Sequence, residues 1–465
     1  MTVVFGILAF IGILGAAVVI HEFGHFIFAK FFKIRVETFS VGFGPRLFGK
    51  KLGHTDYRVS LVPLGGYVKL GGDESNAPLE GQGASDIPPE EQFNLRPRWQ
   101  RILVAVAGPI MNILTALAIP FAGALIYGVP MTPSPVVSYA PGNGAARKAG
   151  LQPGDRIVSF AGTENPGWDT IRGDALLSPD QPLPIVVERN GQRVPLTITP
   201  TAVTEEGETF GILEFVPDNG GYPVVIRDVS EDSAAQEAGI KPGDQVLGIN
   251  GQPVRSAEHI YAYIREHRSQ PVTLSLMRDG QKFDVTATPR KMADGTDRLG
   301  ITSGDNFPLQ RPGVSVAAGY AVKTNLQILR LTGKALGQFF TGQRSARNTL
   351  SGPVGIYKAA SSSVERFGWG GFFTTLAFLS LNLGIFNLLP IPVLDGGAIF
   401  LLLIESLLAT VGLSLSLRVR ERIQQVGFVM VILLMVFVIT NDLLKQASLW
   451  RGGGESPPGA SSPAP

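Results

Sequence analysis

The sequence predicts a polytopic α-helical membrane protein with four transmembrane segments, a membrane-associated β-region and two tandem copies of a small α+β domain. Three observations carry this. Apolar runs recur at residues 3–32, 102–127, 372–408 and 426–439. A stretch rich in glycine and β-formers follows the first run. The middle of the chain repeats itself at a constant offset of 89 residues. The composition agrees: 45% of the residues are hydrophobic, 17% are charged, and the mean hydropathy is positive.

The formal net charge of +2 and the lack of a basic, aromatic-interleaved run leave no reason to expect a nucleic-acid partner. The absence of cysteine excludes disulfides, thiolate metal ligands and a cysteine nucleophile. Five histidines in all leave few imidazoles for a metal site.

The first element, residues 1–32, has no basic leader, so it reads as a retained span rather than a cleaved signal. A bilayer crossing needs ~20 apolar residues, and this run exceeds that. Inside it lies His21-Glu22-Phe23-Gly24-His25, an HExxH. On a helix the two imidazoles share a face, and Glu22 stands beside them, able to take a proton from a water activated by a metal. An ionisable group in a membrane helix costs roughly 2.5–3.5 kcal/mol on insertion scales, so three together point to function. Residues 33–100 hold strand-like stretches at 36–44, 57–62 and 67–70, then a polar loop at 73–91. A strand edge here, around Gly42-Phe43-Gly44, offers pairing for an extended substrate; an ordinary β-loop is the plainer alternative.

The second span is 101–128. Gly108-Pro109 opens it, and Asn112 reads as a polar link between helices. The third, 371–408, is interrupted by Asn382, Asn387, Pro390, Pro392, Asp395, Gly396 and Gly397. Broken backbone at membrane depth is tolerated where it lines a cavity or is buried in protein. The fourth span is 424–443, and the tail 452–465 is of disordered composition. Lys and Arg cluster after the first span, before the second, and between the third and fourth. Residues 128–146 carry none. Segments 33–101 and 409–425 are therefore expected in the cytoplasm. Both termini and the middle region are expected in the periplasm of a bacterial inner membrane.

In the repeat, Ala145-Ala146 matches Ala234-Ala235, Pro153-Gly154-Asp155 matches Pro242-Gly243-Asp244, and Arg189 matches Arg278. The copies, 131–217 and 220–306, resemble the PDZ domain in its permuted bacterial order. The resemblance implies that a peptide adds as a strand beside a carboxylate-binding loop, here Phe210-Gly211-Ile212 and Leu299-Gly300-Ile301. Two small modules that only block access sterically are the alternative. An amphipathic helix is expected at 311–345.

A catalytic zinc site needs three protein ligands and an open position. His54, His259 and His267 are expected at the surface. Asp395, in the broken third span, is the best third ligand, because no Lys or Arg stands near it in that run. Glu405 is a weaker competitor nearer the membrane edge. Zn2+ held by His21, His25 and Asp395, with Glu22 as base, makes a hydrolytic site. Asn382 and Asn387 are candidates to hold a substrate backbone or an oxyanion, or to bond helices together.

Together, HEFGH, Gly42-Phe43-Gly44, the tandem repeats and the run from Asn382 through Leu394-Asp395-Gly396 resemble the site-2 protease family of intramembrane zinc metalloproteases. The resemblance covers nearly the whole chain except the tail. It implies cleavage of single-span membrane proteins, such as an anti-sigma factor already trimmed by another protease, with the PDZ pair as a size filter. It implies zinc on His21, His25 and Asp395, catalysis by Glu22, and substrate contacts from Asn382, Asn387 and the β-region. The partners expected are such substrates and the lipid bilayer, with the protein a monomer. A membrane scaffold that binds peptide tails, its metal site structural, is the alternative, and a metal transporter is a third reading.

Overall fold

The computed structural model describes residues 3–73, 87–131, 133–142, 144–205, 208–291, 297–343, 352–413 and 416–451. The predicted tail, 452–465, and most of the polar loop after Asp73 lie outside them. The chain divides into two compact units. One comprises residues 1–126, 312–329 and 350–443; the other holds the middle region.

Helix α1 (Val3–Phe31) is followed by strands β1 (Val36–Leu52) and β2 (Thr55–Leu70), then by α2 (Arg98–Tyr127). The β-region is larger than short hairpins. Residues Thr38 to Val41 have partners on both sides, Lys69 to Gly66 on one and Asp56 to Val59 on the other. Glycines Gly42 and Gly44 adopt positive φ where β1 turns. Val36, Val68 and Leu70 pack with Ala29, Ile34 and Val104 into one small core, which fixes the sheet against α1 and α2.

In the middle unit the first six elements of the two copies correspond at the 89-residue offset. The first copy has β3 (Val137–Tyr139), α3 (Ala145–Lys148), β4 (Arg156–Phe160), α4 (Trp168–Leu176), β5 (Leu183–Arg189), β6 (Gln192–Ile198), β7 (Thr201–Glu205) and β8 (Glu208–Ile212). The second has β9 (Val224–Val229), α5 (Ala234–Glu237), β10 (Gln245–Ile249), α6 (Ala257–Glu266), β11 (Val272–Arg278), β12 (Gln281–Ala287) and β13 (Ile301–Asp305). In the second sheet the order is β12-β11-β10-β9-β13. Each copy has its own apolar core, around Phe160 and Ile171 in one and Ile249 and Ile260 in the other. The repeat extends to side chains. Arg189 grips Asp155 with bonds of 2.7 and 2.7 Å, and Arg278 grips Asp244 with bonds of 2.6 and 2.7 Å. Burial pushes the Asp244 carboxyl up, but the Arg278 hydrogen bond and the Lys241 amide outweigh it and hold the pKa below its ordinary value.

Helix α7 (Val314–Phe340) lies within the 311–345 segment expected to be amphipathic, of which 344–345 fall outside the described residues. Helix α8 (Pro353–Phe367) was not anticipated. It packs on α1 through Ala360 and Val364 against Ala9, Ile13 and Ala17. The third apolar run is two helices, α9 (Trp369–Asn387) and α10 (Asp395–Thr410), with an irregular turn between. Last comes α11 (Leu417–Arg451), whose buried Asp442 caps α8 by accepting from the backbone N–H groups of Gly352 and Val354. Among the described residues, four helices are long and apolar enough to cross a membrane: Val4–Phe31, Arg98–Tyr127, Trp369–Asn387 and Arg422–Leu444.

Candidate metal centre and active site

His21 and His25 lie one turn apart on α1, and Asp395 opens α10, where helix N-terminal amides favour a carboxylate. Their donor atoms converge. Asp395 Oδ2 is 3.0 Å from His21 Nε2, Oδ1 is 3.5 Å from His25 Nε2, and the two Nε2 atoms are 3.2 Å apart. A tetrahedral zinc with bonds of ~2.0–2.2 Å needs its donors ~3.3–3.6 Å apart, so these separations are close to those of three ligands round one ion. Oδ2 of Asp395 is shielded from solvent and, despite its closeness to His21, has no partner in hydrogen-bond geometry. Such an orphaned oxygen fits a metal ligand. The turn ahead of it holds Val393 at φ 90°, a costly conformation for a β-branched residue, as found where structure is committed to a site.

The other imidazole nitrogens are held by α2. His25 Nδ1–H donates to the Val104 carbonyl at 2.8 Å, which leaves Nε2 free for the metal. The Asn112 amide lies 3.3 Å from His21 Nδ1 and is fully buried. With its nitrogen towards the ring, Asn112 Oδ1 has no partner. Turning the amide over lets Oδ1 accept from Nδ1–H, the tautomer a metal on Nε2 requires. The expected helix link is thus a contact to His21, a partner the sequence reading missed. The signal was available: Val104, Gly108 and Asn112 are spaced four apart and share one helix face. Gly108 sits between them because nothing larger fits. A Cβ there would lie 2.3 Å from His25 Nε2 and 2.9 Å from His21 Cε1. Gly24 answers it on α1, where a Cβ would meet the Ala107 carbonyl at 2.3 Å.

Glu22 faces β2 and accepts a hydrogen bond from the Val68 N–H at 3.1 Å. Asn387 brings its amide nitrogen to 3.2 Å from His21 Nε2. Asn382 donates to Phe378 O of its own helix at 2.8 Å and is half-buried. Phe43 stacks on Tyr67 at 6.0 Å within the β-region. Glu405 is removed as a ligand candidate, since Arg420 holds it. Phe210, Gly211 and Ile212 form β8, and Leu299, Gly300 and Ile301 lead into β13. One surface assignment is corrected. His259 is buried on α6, stacked on Tyr139 at 5.3 Å, and neither ring nitrogen has a hydrogen-bond partner among the described residues. The apolar face of α6 carries it inward, and burial lowers its pKa.

Two histidines, a carboxylate and an adjacent glutamate in this arrangement define a metallohydrolase centre. The model of Peptidase family M50 matches residues 9–434. The chain is 31% identical over 474 residues to the Regulator of sigma-E protease RseP of Salmonella typhimurium, covering 95% of this chain and 99% of that one. It is 32% identical over 456 residues to the protein of that name in Escherichia coli, covering 93% and 97%. Among solved structures, the PDZ domain of an SdrC-like protein from Listeria monocytogenes aligns with 17% of this chain and 85% of its own, at 21% identity and a TM-score of 0.16. The chain belongs to peptidase family M50, the site-2 proteases, and is a zinc-dependent metalloprotease.

Proposed function

We propose that this protease cleaves single-span membrane proteins within the plane of a bacterial inner membrane, an anti-sigma factor among them. The observation that carries the reading is that His21 and His25, on a helix long and apolar enough to cross a bilayer, converge with Asp395, which follows the turn after another such helix, α9. The naming of relatives for sigma-E regulation supports the substrate class. Zinc on these three residues supplies Lewis acidity that polarises a peptide carbonyl and lowers the pKa of water. Glu22 takes the proton of the attacking water and returns it to the leaving amine; the Val68 N–H fixes the orientation of its carboxylate. Asn387 donates its amide to the carbonyl oxygen as charge develops there. Asn382 and the strand edge around Gly42, Phe43 and Gly44 hold the unwound substrate.

The termini and the two PDZ-like copies, 131–217 and 220–306, lie in the periplasm, and the pair acts as a size filter. Steric exclusion is favoured over tail binding by the state of both grooves. In the first, a Cβ on Gly211 would lie 2.3 Å from the Ala175 carbonyl of α4. In the second, the Ser303 N–H at the edge of β13 already donates to the Tyr261 hydroxyl at 2.8 Å. An incoming strand would have to displace both helices.

The test is Glu22→Gln against Asp395→Ala. Glu22→Gln should keep zinc and stop cleavage of a single-span reporter, while Asp395→Ala should lose both. Cleavage by Glu22→Gln would sink the mechanism; full zinc in Asp395→Ala would remove Asp395 from the ligand set.

A further inference from the structure

Among the described residues at the ends of α2, α10 and α11 that the charge pattern assigns to the cytoplasm, Arg98, Arg101 and Arg420 stand near two acids, Glu405 and Asp73. Buried Glu405 of α10 is already paired with Arg420 of α11, and Arg98 of α2 stands off at 3.9 Å. Arg101, nearly one turn further along α2, lies within electrostatic reach of Arg98, Arg420, Glu405 and Asp73. Its guanidinium stacks over the Phe93 ring at 5.5 Å but makes no ion pair or hydrogen bond among the described residues. Its Nε is shielded from solvent without an acceptor. Leaving a charged donor in that state is expensive, and an anion relieves it. Two further features point the same way. Helix α2 has no acidic residue in its first turn, so its N-terminal amides add to the positive potential. Trp99, beside Arg98, is 57% exposed, the kind of ring that settles among lipid headgroups.

We propose that Arg98, Arg101 and Arg420 bind the phosphate of an anionic phospholipid headgroup at the cytoplasmic surface. The proposal rests on the membrane-spanning reading above. A phosphodiester offers two oxygens to the guanidinium fork, and Arg101 is the residue with donors to spare. The bound headgroup would tie the start of α2 to α11. That is a direct restraint on the helix that holds both ligand imidazoles.

The experiment is native mass spectrometry of the full-length protein in uncharged detergent, titrated with phosphatidylglycerol, phosphatidylcholine or inorganic phosphate. Phosphatidylglycerol should form a one-to-one complex that phosphatidylcholine does not. Arg101→Gln should weaken it at least about tenfold, the loss of one charge-assisted contact, and Arg101→Lys should recover part. Arg101→Gln gives up the stacking on Phe93, but no ion pair or hydrogen bond among the described residues. Its melting curve and zinc content should match wild type, and its Glu22-dependent cleavage in detergent should persist. Those readouts fail separately if the protease reading is at fault. Equal binding of phosphatidylglycerol to wild type and to both Arg101→Gln and Arg98→Gln would overturn the proposal. So would inorganic phosphate binding as tightly as the lipid, which would make this a site for a free anion.

Discussion

Replacing Gly108 by alanine tests whether α2 sets the geometry of the metal centre. The added methyl would stand 2.3 Å from His25 Nε2, 2.6 Å from its Cε1 and 2.9 Å from His21 Cε1. Unstrained heavy-atom contacts lie near ~3.5–4.0 Å, so something must move by over ~1 Å. The helix backbone cannot retreat freely, since a Cβ at Gly384 would already meet the Pro109 carbonyl at 2.9 Å. The imidazoles must therefore turn, and metal donors tolerate only about 0.2 Å. A displacement of ~1 Å in a reacting constellation costs on the order of 10²-fold in rate. Cleavage of a single-span reporter should fall by about that factor, with zinc retention after mild chelation falling too. The matched control is Gly123→Ala on the same helix, where an added Cβ meets nothing within 4 Å. That change should leave activity intact and stabilise by up to about 1 kcal/mol. If Gly108→Ala kept stoichiometric zinc and near wild-type cleavage, the reasoning would be refuted.

Asn112→Ala should lower zinc affinity or cleavage by about 10–100-fold, the usual cost of removing a partner of a ligand imidazole, as read by metal competition. His259→Phe should flatten the acid side of the stability profile. Its lowered folded pKa means the unfolded chain binds the proton more readily, so stability is lost as pH falls below about 6.5. Raised Glu258 and Asp305 act in the opposite direction, so the test is the difference between wild-type and variant melting curves from pH 7.5 to 5.5. Asp155→Asn and Asp244→Asn should each cost about 1–3 kcal/mol, by similar amounts, because each removes one two-pronged pair to an arginine from equivalent places in the repeat.

The cluster of His21, His25 and Asp395 was legible because an apolar run makes each ionisable residue conspicuous. His21, Glu22, His25 and Asp395 had few rivals in their apolar runs, and the structure brings the two histidines and Asp395 together. The repeat was legible for a different reason: its offset carries both turns and the Asp–Arg pairs. Helix α8 was missed because Tyr357 to Arg366 mixes serine, alanine and charge, so it resembles neither a span nor a loop. His259 was assigned to the surface because a lone histidine between Glu258 and Ile260 carries no mark of which side faces in. The β-region was read as short strands because register is set by partners on both sides of Thr38 to Val41, and alternation along the chain does not reveal a second partner.

Helix α2 supplies none of the three clustered donors, yet it constrains how His21 and His25 stand. The Val104 carbonyl fixes one imidazole, the Asn112 amide touches the other, and Gly108 lets both rings approach between them. A metal with two imidazole ligands on one helix needs each Nε2 turned inward, and an HExxH alone does not impose that. Both rings can rotate about χ2 until their Nδ1 atoms are engaged. The three α2 positions fall on one face at a spacing of four, matched to the spacing of four between His21 and His25. The two helices therefore act as a pair, with donors on α1 and constraints on α2. Asp395 then closes the set from a third helix that need only deliver one carboxylate. On this account a mutation on the inward face of α2 should damage zinc binding more than one of equal size on its exposed side, even though neither touches the metal.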